Sequence, residues 1–441
     1  MLKRISYEAN RAVKKIKDAE YPAPFAKSLE FSAPARGTWN IVHTGMLLPN
    51  SHQIYICAAG CLRGVILTAA EMGAMKRFST LEVKEGDLTA KNHENFIIEG
   101  ISHILNALPV LPRAVLVFTA CVHHFLGTDL KYVYKTLRER FPSVDFAECI
   151  MDPIRQTQSI TPEERERREI FRLLKNSDKI RQINIIGGNL PIDEESELIQ
   201  TLKAAKYKIV DFPKLKSYDD FLNMSKSSLN VYQHPFTHIA AKEMKSRLDQ
   251  NYLYLPIAYA DNEIEEELKN LTNLLNIDII NFENAKNEAH TALLRAKDII
   301  KNTPVAVDLT FTHRPFHLAR RLAEKYDFNI THIFSDNVSK DDKADFAWLK
   351  ENRAEILLIA TKHADARLFC DEDKNHEKIL ALGQKAAFFL QSPHFVNFVE
   401  GGGLWGYTGL KKLADLMIEA FNHKKDLRII EKKAWSLPSC I

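Results

Sequence analysis

Short runs that are apolar at nearly every position alternate along the chain with longer stretches whose apolar residues recur at helical spacing. The runs HQIYICA (52–58), RAVLVFTAC (113–121), QINIIGG (182–188), KIVDF (208–212), SLNVYQ (228–233), YLYLPI (252–257), PVAVDLTF (304–311), ITHIFSD (330–336), AEILLIAT (354–361) and KAAFFLQS (385–392) predict strands. Continuous rather than alternating apolarity suits parallel strands covered on both faces. The stretches 94–107, 129–140, 193–206, 235–249, 262–275 and 315–326 predict helices between them. Strand, helix and strand in repeated order predicts an α/β fold of three doubly wound domains with mainly parallel sheets. The charged segment TPEERERREIFRLLKNSDKIR (161–181) opens on Thr161-Pro162 like a capped helix and is expected to bridge the first domain to the second. The expected domains are 1–180, 181–300 and 301–441, the strand pattern restarting at KNTPVAVDLTF.

Composition narrows the function classes. A chain of 441 residues, 45% hydrophobic and 27% charged, reads as an ordinary soluble protein of two or three domains. Its net charge of +3 gives no reason to expect nucleic acid or an anionic membrane as a partner. The opening MLKRISYEANRAVKKIKDAEY carries charges every few positions, so no secretory signal is expected. No apolar run reaches the roughly eighteen residues of a membrane span, and a cytoplasmic location is expected. Six cysteines in this setting do not suggest a disulfide framework. Cys149 and Cys370 read as small buried hydrophobes, and Cys440 sits near the terminus.

The other three cysteines fall where chemistry is expected. Cys57 and Cys61 form a C-x-x-x-C at the end of one predicted strand, and Cys121 ends the next strong one. Parallel α/β sheets bind ligands at the C-terminal ends of their strands. One C-x-x-x-C is weak evidence for zinc, whose structural cysteine pairs usually recur. Three thiolates suffice for an iron–sulfur cluster if a partner chain completes the set; the alternative is three core thiols near strand ends. The sequence IIGGN is too short for a dinucleotide fingerprint, and no phosphate-binding loop is present.

Several blocks, in order, resemble the nitrogenase component 1 family, whose relatives include the nitrogenase molybdenum-iron protein and protochlorophyllide reductase subunits. ARGTWNIVHTGMLLPNSHQIYICAAGCLRGV resembles its N-terminal Gly-Cys block, and VFTACVHHFLGTDL its second cysteine block. INIIGGNLPID, THRPFHLARRLAEKYDFNI and GGLWGYTGLKKLADLM resemble the second-domain strand, the third-domain strand–loop–helix and the closing Gly-Tyr-x-Gly helix. By position, the resemblance implies that Cys61 and Cys121 are cluster ligands. The family's earliest cysteine is expected near residues 30–36, where this chain reads EFSAPAR. Cys57 is then a candidate substitute ligand, provided the chain turns directly after its strand, because residues four apart in a strand lie two periods apart.

The resemblance implies a second metal cofactor site held by one cysteine and one histidine. The cysteine position falls in LNVYQHPFTHIAAKEM, where His234 stands, and no cysteine lies between Cys149 and Cys370. That argues against an iron–molybdenum cofactor held in the nitrogenase way. His234 and His238 share a face if their segment is helical; a helix-start histidine that caps or hydrogen-bonds is the other reading. The family histidine falls among Gln391, His394 and the run Gly401-Gly402-Gly403, which reads either as an anion-binding nest or as a flexible loop. His313-Arg314-Pro315-x-His317 puts cationic groups at a crevice suited to an acidic substrate or anionic cluster, or merely solvated.

The resemblance thus implies one subunit of a two-component iron–sulfur oxidoreductase. It would carry a 4Fe-4S or larger cluster shared between subunits and held by Cys57, Cys61 and Cys121, with His234 and His394 as further cofactor-binding candidates. Its implied partners are a homologous component 1 subunit, in a homo- or hetero-oligomer, and an ATP-dependent iron–sulfur reductase. The altered second site points to a substrate other than dinitrogen. A non-catalytic scaffold for assembling a metal cofactor, and a heteromeric partner subunit with a degenerate pocket, fit the same residues.

Overall fold

A computed structural model describes residues 10–31, 33, 40–88, 93–152, 160–369 and 378–431. Arg36-Gly37, most of the segment 30–36, Cys370 and Cys440 lie outside these residues. The first strand, β1 (Val13–Lys15), is short and joins the last of three sheets. Strands β2 (Ser51–Cys57), β3 (Phe78–Glu82), β4 (Ala114–Ala120) and β5 (Asp145–Met151) form a parallel sheet in the order β3-β2-β4-β5. Strands β6 (Gln182–Ile185), β7 (Lys208–Asp211), β8 (Leu229–Tyr232) and β9 (Asn251–Tyr254) repeat that order as β7-β6-β8-β9, again parallel. The third sheet adds β10 (Val305–Asp308), β11 (Ile330–Phe334), β12 (Leu357–Ile359), β13 (Leu380–Leu382) and β14 (Phe395–Val396). Its order is β1-β12-β11-β10-β13-β14, and only β1 runs antiparallel.

Setting β1 aside, the chain in each sheet builds to one side of its first strand and then crosses to the other. The loops leaving β2 and β4, β6 and β8, and β10 and β13 therefore diverge and open a crevice at the strands' C-terminal ends. Two of these crevices become the sites below. The third is filled by the chain itself. The buried Asp308 carboxylate accepts from the N–H groups of Thr310, Phe311 and Ala386 and from the Thr310 hydroxyl. Gly383 (φ +121) lets the neighbouring loop pass, since a Cβ there would lie 2.3 Å from that carboxylate.

The run KAAFFLQS, expected as a strand, is instead the helix Gln384–Leu390. It is buried on most sides, and a short run of continuous apolarity does not separate a buried helix from a buried strand. Ala386 N–H bound to Asp308 fixes its first turn. The expected bridging helix is Pro162–Arg172, with a complete capping box between Thr161 and Glu164. Its charged face is not solvated. Glu163, Glu166, Arg167 and Glu169 are buried where it packs between β5 and the helix His238–Leu248. Apolar cores run across the unit boundaries: Tyr55 and Phe118 share one with Phe212 and Tyr232, and Leu198 and Val231 share another with Leu413 and Trp405. No helix among the described residues is long and apolar enough to cross a membrane.

Candidate cluster and cavity sites

The first crevice gathers the three thiols. Cys57 is the last residue of β2 and is 1% exposed. Ala58 is extended (φ −66, ψ 150), and its carbonyl accepts from the N–H groups of Cys61 at 3.0 Å and Leu62 at 3.2 Å. The chain thus turns immediately after the strand, and Cys61 emerges, exposed, in the first turn of the helix Ala59–Glu71. This satisfies the geometric condition on which Cys57 depends as a ligand. The turn sets the Cys61 side chain beside that of Cys57. Cys121 opens the short helix Cys121–Phe125 directly after β4, the strand paired with β2. Burial, then the neighbouring Cys61 and Cys121, pushes the Cys57 thiol up; burial, then Asp152 and Cys61, raises Cys121.

Among the described residues no three His, Cys, Asp or Glu side chains converge on the position of a single metal ion. The ligands of a multi-iron cluster bind different irons and need no such point. Soft thiolates are the donors such a cluster takes, and each thiol would shed its proton on binding. The donor set therefore fits an iron–sulfur group as three of its ligands.

Sequence reasoning missed a histidine pair beside these thiols. His123 Nε2 donates to the Ile56 carbonyl at 3.2 Å, so its Nδ1 accepts from His93 Nε2 at 2.9 Å. The pair ties the turn carrying Cys121 to the residue preceding Cys57. Burial pushes His123 down to about 4, which keeps the ring neutral as these bonds require. The two adjacent histidines in CVHHF were the available signal, but the partner His93 lies thirty residues earlier.

The second crevice, between β6 and β8, opens into a cavity of about 260 Å³. Its walls include His234 from the second sheet, Thr310 and His313 from the third, and Glu163 and Glu400. Gly187 and Gly188 explain IIGGN: Cβ atoms there would lie 2.1 Å from Gln233 Oε1 and 3.1 Å from the His234 ring. His234 stacks on Phe236 at 5.0 Å between centroids, and the Arg167 guanidinium lies 4.5 Å from the centroid of the same Phe236 ring. His313 meets His234 edge-on at 4.9 Å. Both His313 ring nitrogens are buried without a hydrogen-bond partner among the described residues. Burial, reinforced by His234, Arg314 and His317, holds His313 neutral.

A polar network behind this wall joins all three sheets' units. Fully buried Arg167 donates to Glu163 Oε1 at 3.2 Å and Asn189 Oδ1 at 2.7 Å, and Asn189 donates through its backbone and side-chain N–H groups to Glu400, each at 3.0 Å.

The remaining sequence candidates are placed elsewhere. His234 is extended (φ −116, ψ 132), so it shares no helical face with His238, whose Nδ1 bonds Tyr232 Oη at 2.7 Å. His394 precedes β14, at the opposite end of the strand from the crevices, and its Nδ1 donates to the Ala420 carbonyl at 3.0 Å. It is not among the residues lining the cavity. Arg314 is buried against Glu263 at 2.7 Å, with Asp342 and Asp345 at 3.8 and 3.9 Å, so its charge is spent internally. His317 accepts from Tyr259 N–H at 3.1 Å and donates through Nδ1 to Asp345 at 2.9 Å. In the glycine run, the N–H groups of Gly401 and Gly402 donate to the carbonyls of Phe311 and Val399. That run is neither an open anion nest nor a loose loop; Gly401 and Gly403 are buried.

Comparison with known proteins bears on the whole arrangement. The family model described as nitrogenase component 1 type oxidoreductase matches residues 46–422. A solved structure of nitrogenase Cp1 at pH 6.5 superposes with a TM-score of 0.67 at 15% identity, over 90% of this chain and 94% of that one. Nitrogenase Cp1 at pH 5 gives 0.62 at 12% identity, over 93% of each chain. At these identities the likeness speaks for the fold. None of the curated proteins matches the chain. With the family model spanning both cysteine blocks, all three sheets and the closing helix, the chain belongs to the nitrogenase component 1 type oxidoreductase family.

Proposed function

We propose that this oxidoreductase subunit works in a two-component system, taking electrons from an ATP-dependent iron–sulfur partner and using them on a substrate or cofactor in the cavity. The observation that carries the reading is the gathering of Cys57, Cys61 and Cys121 at the C-terminal ends of β2 and β4, on a chain of this family. An iron–sulfur cluster bound there would supply one-electron transfer. The chain's own part is to present three thiols from one crevice, with exposed Cys61 facing the surface where a homologous subunit would add ligands. His123 and His93 hold the two thiol-bearing turns together.

At the cavity, the residues offer imidazoles rather than a thiol. His313 is kept uncharged by burial, and the carboxylates of Glu163 and Glu400 are engaged by Arg167 and Asn189. A pocket so lined is suited to a ligand held by nitrogen donors, and we infer a substrate other than dinitrogen. The test is anaerobic purification followed by iron and sulfide analysis and spectroscopy of the reduced protein. The expectation is a cluster signal that is lost in Cys61→Ala and Cys121→Ala. Fewer than about two irons per chain would sink the assignment, and a variant that keeps the wild-type spectrum would make its residue structural.

A further inference from the structure

We propose that Cys57 and Cys61 form a reversible dithiol–disulfide pair, oxidised by small-molecule disulfides whenever the thiols carry no metal. The inference does not depend on whether the site holds a cluster. Its basis is an asymmetry between two neighbouring thiols. Cys61 faces solvent in the first turn of its helix, and an ideal Cβ on the adjacent Gly60 meets nothing within 4 Å, so the approach is open. Cys57 is 1% exposed and sits one tight turn before Cys61. A reagent in solution can therefore reach Cys61, whereas Cys57 is placed to reach only its neighbour. An accessible attacking thiol beside a buried resolving thiol is the arrangement of reversible thiol sensors.

The geometry is favourable. A disulfide requires its sulfurs to be brought together without separating the backbone by more than about 7 Å. The turn at Ala58 folds the chain back and brings Cys61 next to Cys57. Bond formation then asks only for side-chain rotation and a small shift of an exposed helical turn. Cys121 lies just past the end of the neighbouring strand, in a separate turn.

The chemistry balances with a disulfide RSSR as oxidant. The Cys61 sulfur attacks one sulfur of RSSR, its thiol proton leaves with the departing RS⁻ as RSH, and a Cys61–SR mixed disulfide remains. The Cys57 sulfur then attacks Cys61 Sγ, the second RSH departs, and the Cys57–Cys61 bond forms. Two thiols have been oxidised and one RSSR reduced to two RSH. Neither sulfur is then a thiolate ligand, so oxidation closes this face to metal until a thiol reductant reverses it.

The test uses the metal-free full-length chain, treated with oxidised glutathione, quenched in acid and digested with trypsin. Cys57 and Cys61 share the tryptic peptide 37–63, whereas Cys121 lies in 114–131. The expected product is peptide 37–63 lighter by two hydrogens, without a glutathione adduct and restored by dithiothreitol. Cys57→Ser should instead accumulate a stable glutathione adduct on Cys61, because the resolving thiol is gone. Three results would overturn the proposal: peptide 37–63 unchanged, a lasting glutathione adduct on wild-type Cys61, or a cross-link to peptide 114–131. The wild-type mapping needs no variant to fold.

Discussion

Gly406 opens the helix Gly406–Asn422 at φ +70, and a Cβ there would lie 2.1 Å from Glu197 Oε2. Glu197 is fully buried at the start of the helix Glu197–Ala204, and its Oε1 accepts from Thr408 N–H at 2.9 Å and Thr408 Oγ at 2.8 Å. One carboxylate from the second sheet's unit thus caps the closing helix of the third. Gly406→Ala should cost about 1 kcal/mol for placing a side chain in the left-handed region. Displacing the Glu197 carboxylate forfeits two hydrogen bonds and strands a buried N–H, adding about 2–3 kcal/mol. In a Glu197→Ala background the obstruction is gone, so Gly406→Ala should cost only the backbone part. The two substitutions should therefore couple by about 2 kcal/mol in a double-mutant cycle. Urea unfolding followed by the fluorescence of Trp405, buried at the adjacent position, reads the helix directly. Equal cost of Gly406→Ala in both backgrounds, to within about 0.5 kcal/mol, would refute the claim that Glu197 is what requires glycine at 406.

Other consequences can be checked separately. Burial raises Asp211 to about 7, so its contribution to stability is full below the unfolded value of about 4 and is lost as pH rises through 7. Asp211→Asn, which mimics the neutral acid, should flatten the fall in thermal midpoint between pH 4 and pH 8; an unchanged slope would rule Asp211 out as its source. Phe118 stacks on Tyr55 at 4.1 Å between nearly parallel rings in the core beneath the thiols, and Phe118→Ala should cost about 3–5 kcal/mol by chemical denaturation. His123→Ala leaves the Ile56 carbonyl and His93 without their partner, at about 2–4 kcal/mol, and should speed maleimide modification of Cys57. Unchanged protection of Cys57 would show that the histidine pair does not hold that turn.

Much of the fold was legible because burial on both faces leaves an unmistakable trace. Runs such as AVLVFTA and VAVD admit no polar face, so a covered parallel strand is the arrangement they fit best. The strands that escaped notice are β1, β3, β5 and β14 at sheet edges, where FSTLE and DFAECIM mix polar residues into the run, and β13 beside one; β1 and β13 are three residues long and β14 two. The same logic misread KAAFFLQS, since a helix with little exposed surface writes the same letters.

The thiols were legible for a related reason: they sit at strand ends, and strand ends were visible. What decides the chemistry of the cavity was not. His234 and His313 are 79 residues apart, His234 belonging to the second sheet's crevice and His313 to the loop after β10, and no local spacing announces that they meet. Nor does any local pattern say that Arg314, next to one of them, is neutralised by Glu263, Asp342 and Asp345. From the sequence that loop presented cations to an anionic ligand; in the fold it presents an uncharged imidazole. The third crevice completes the argument. There Asp308 already fills the position a ligand would take, and the cavity that opens between the second and third sheets is walled by His234, the uncharged His313 and polar side chains such as Asp336 and Lys362.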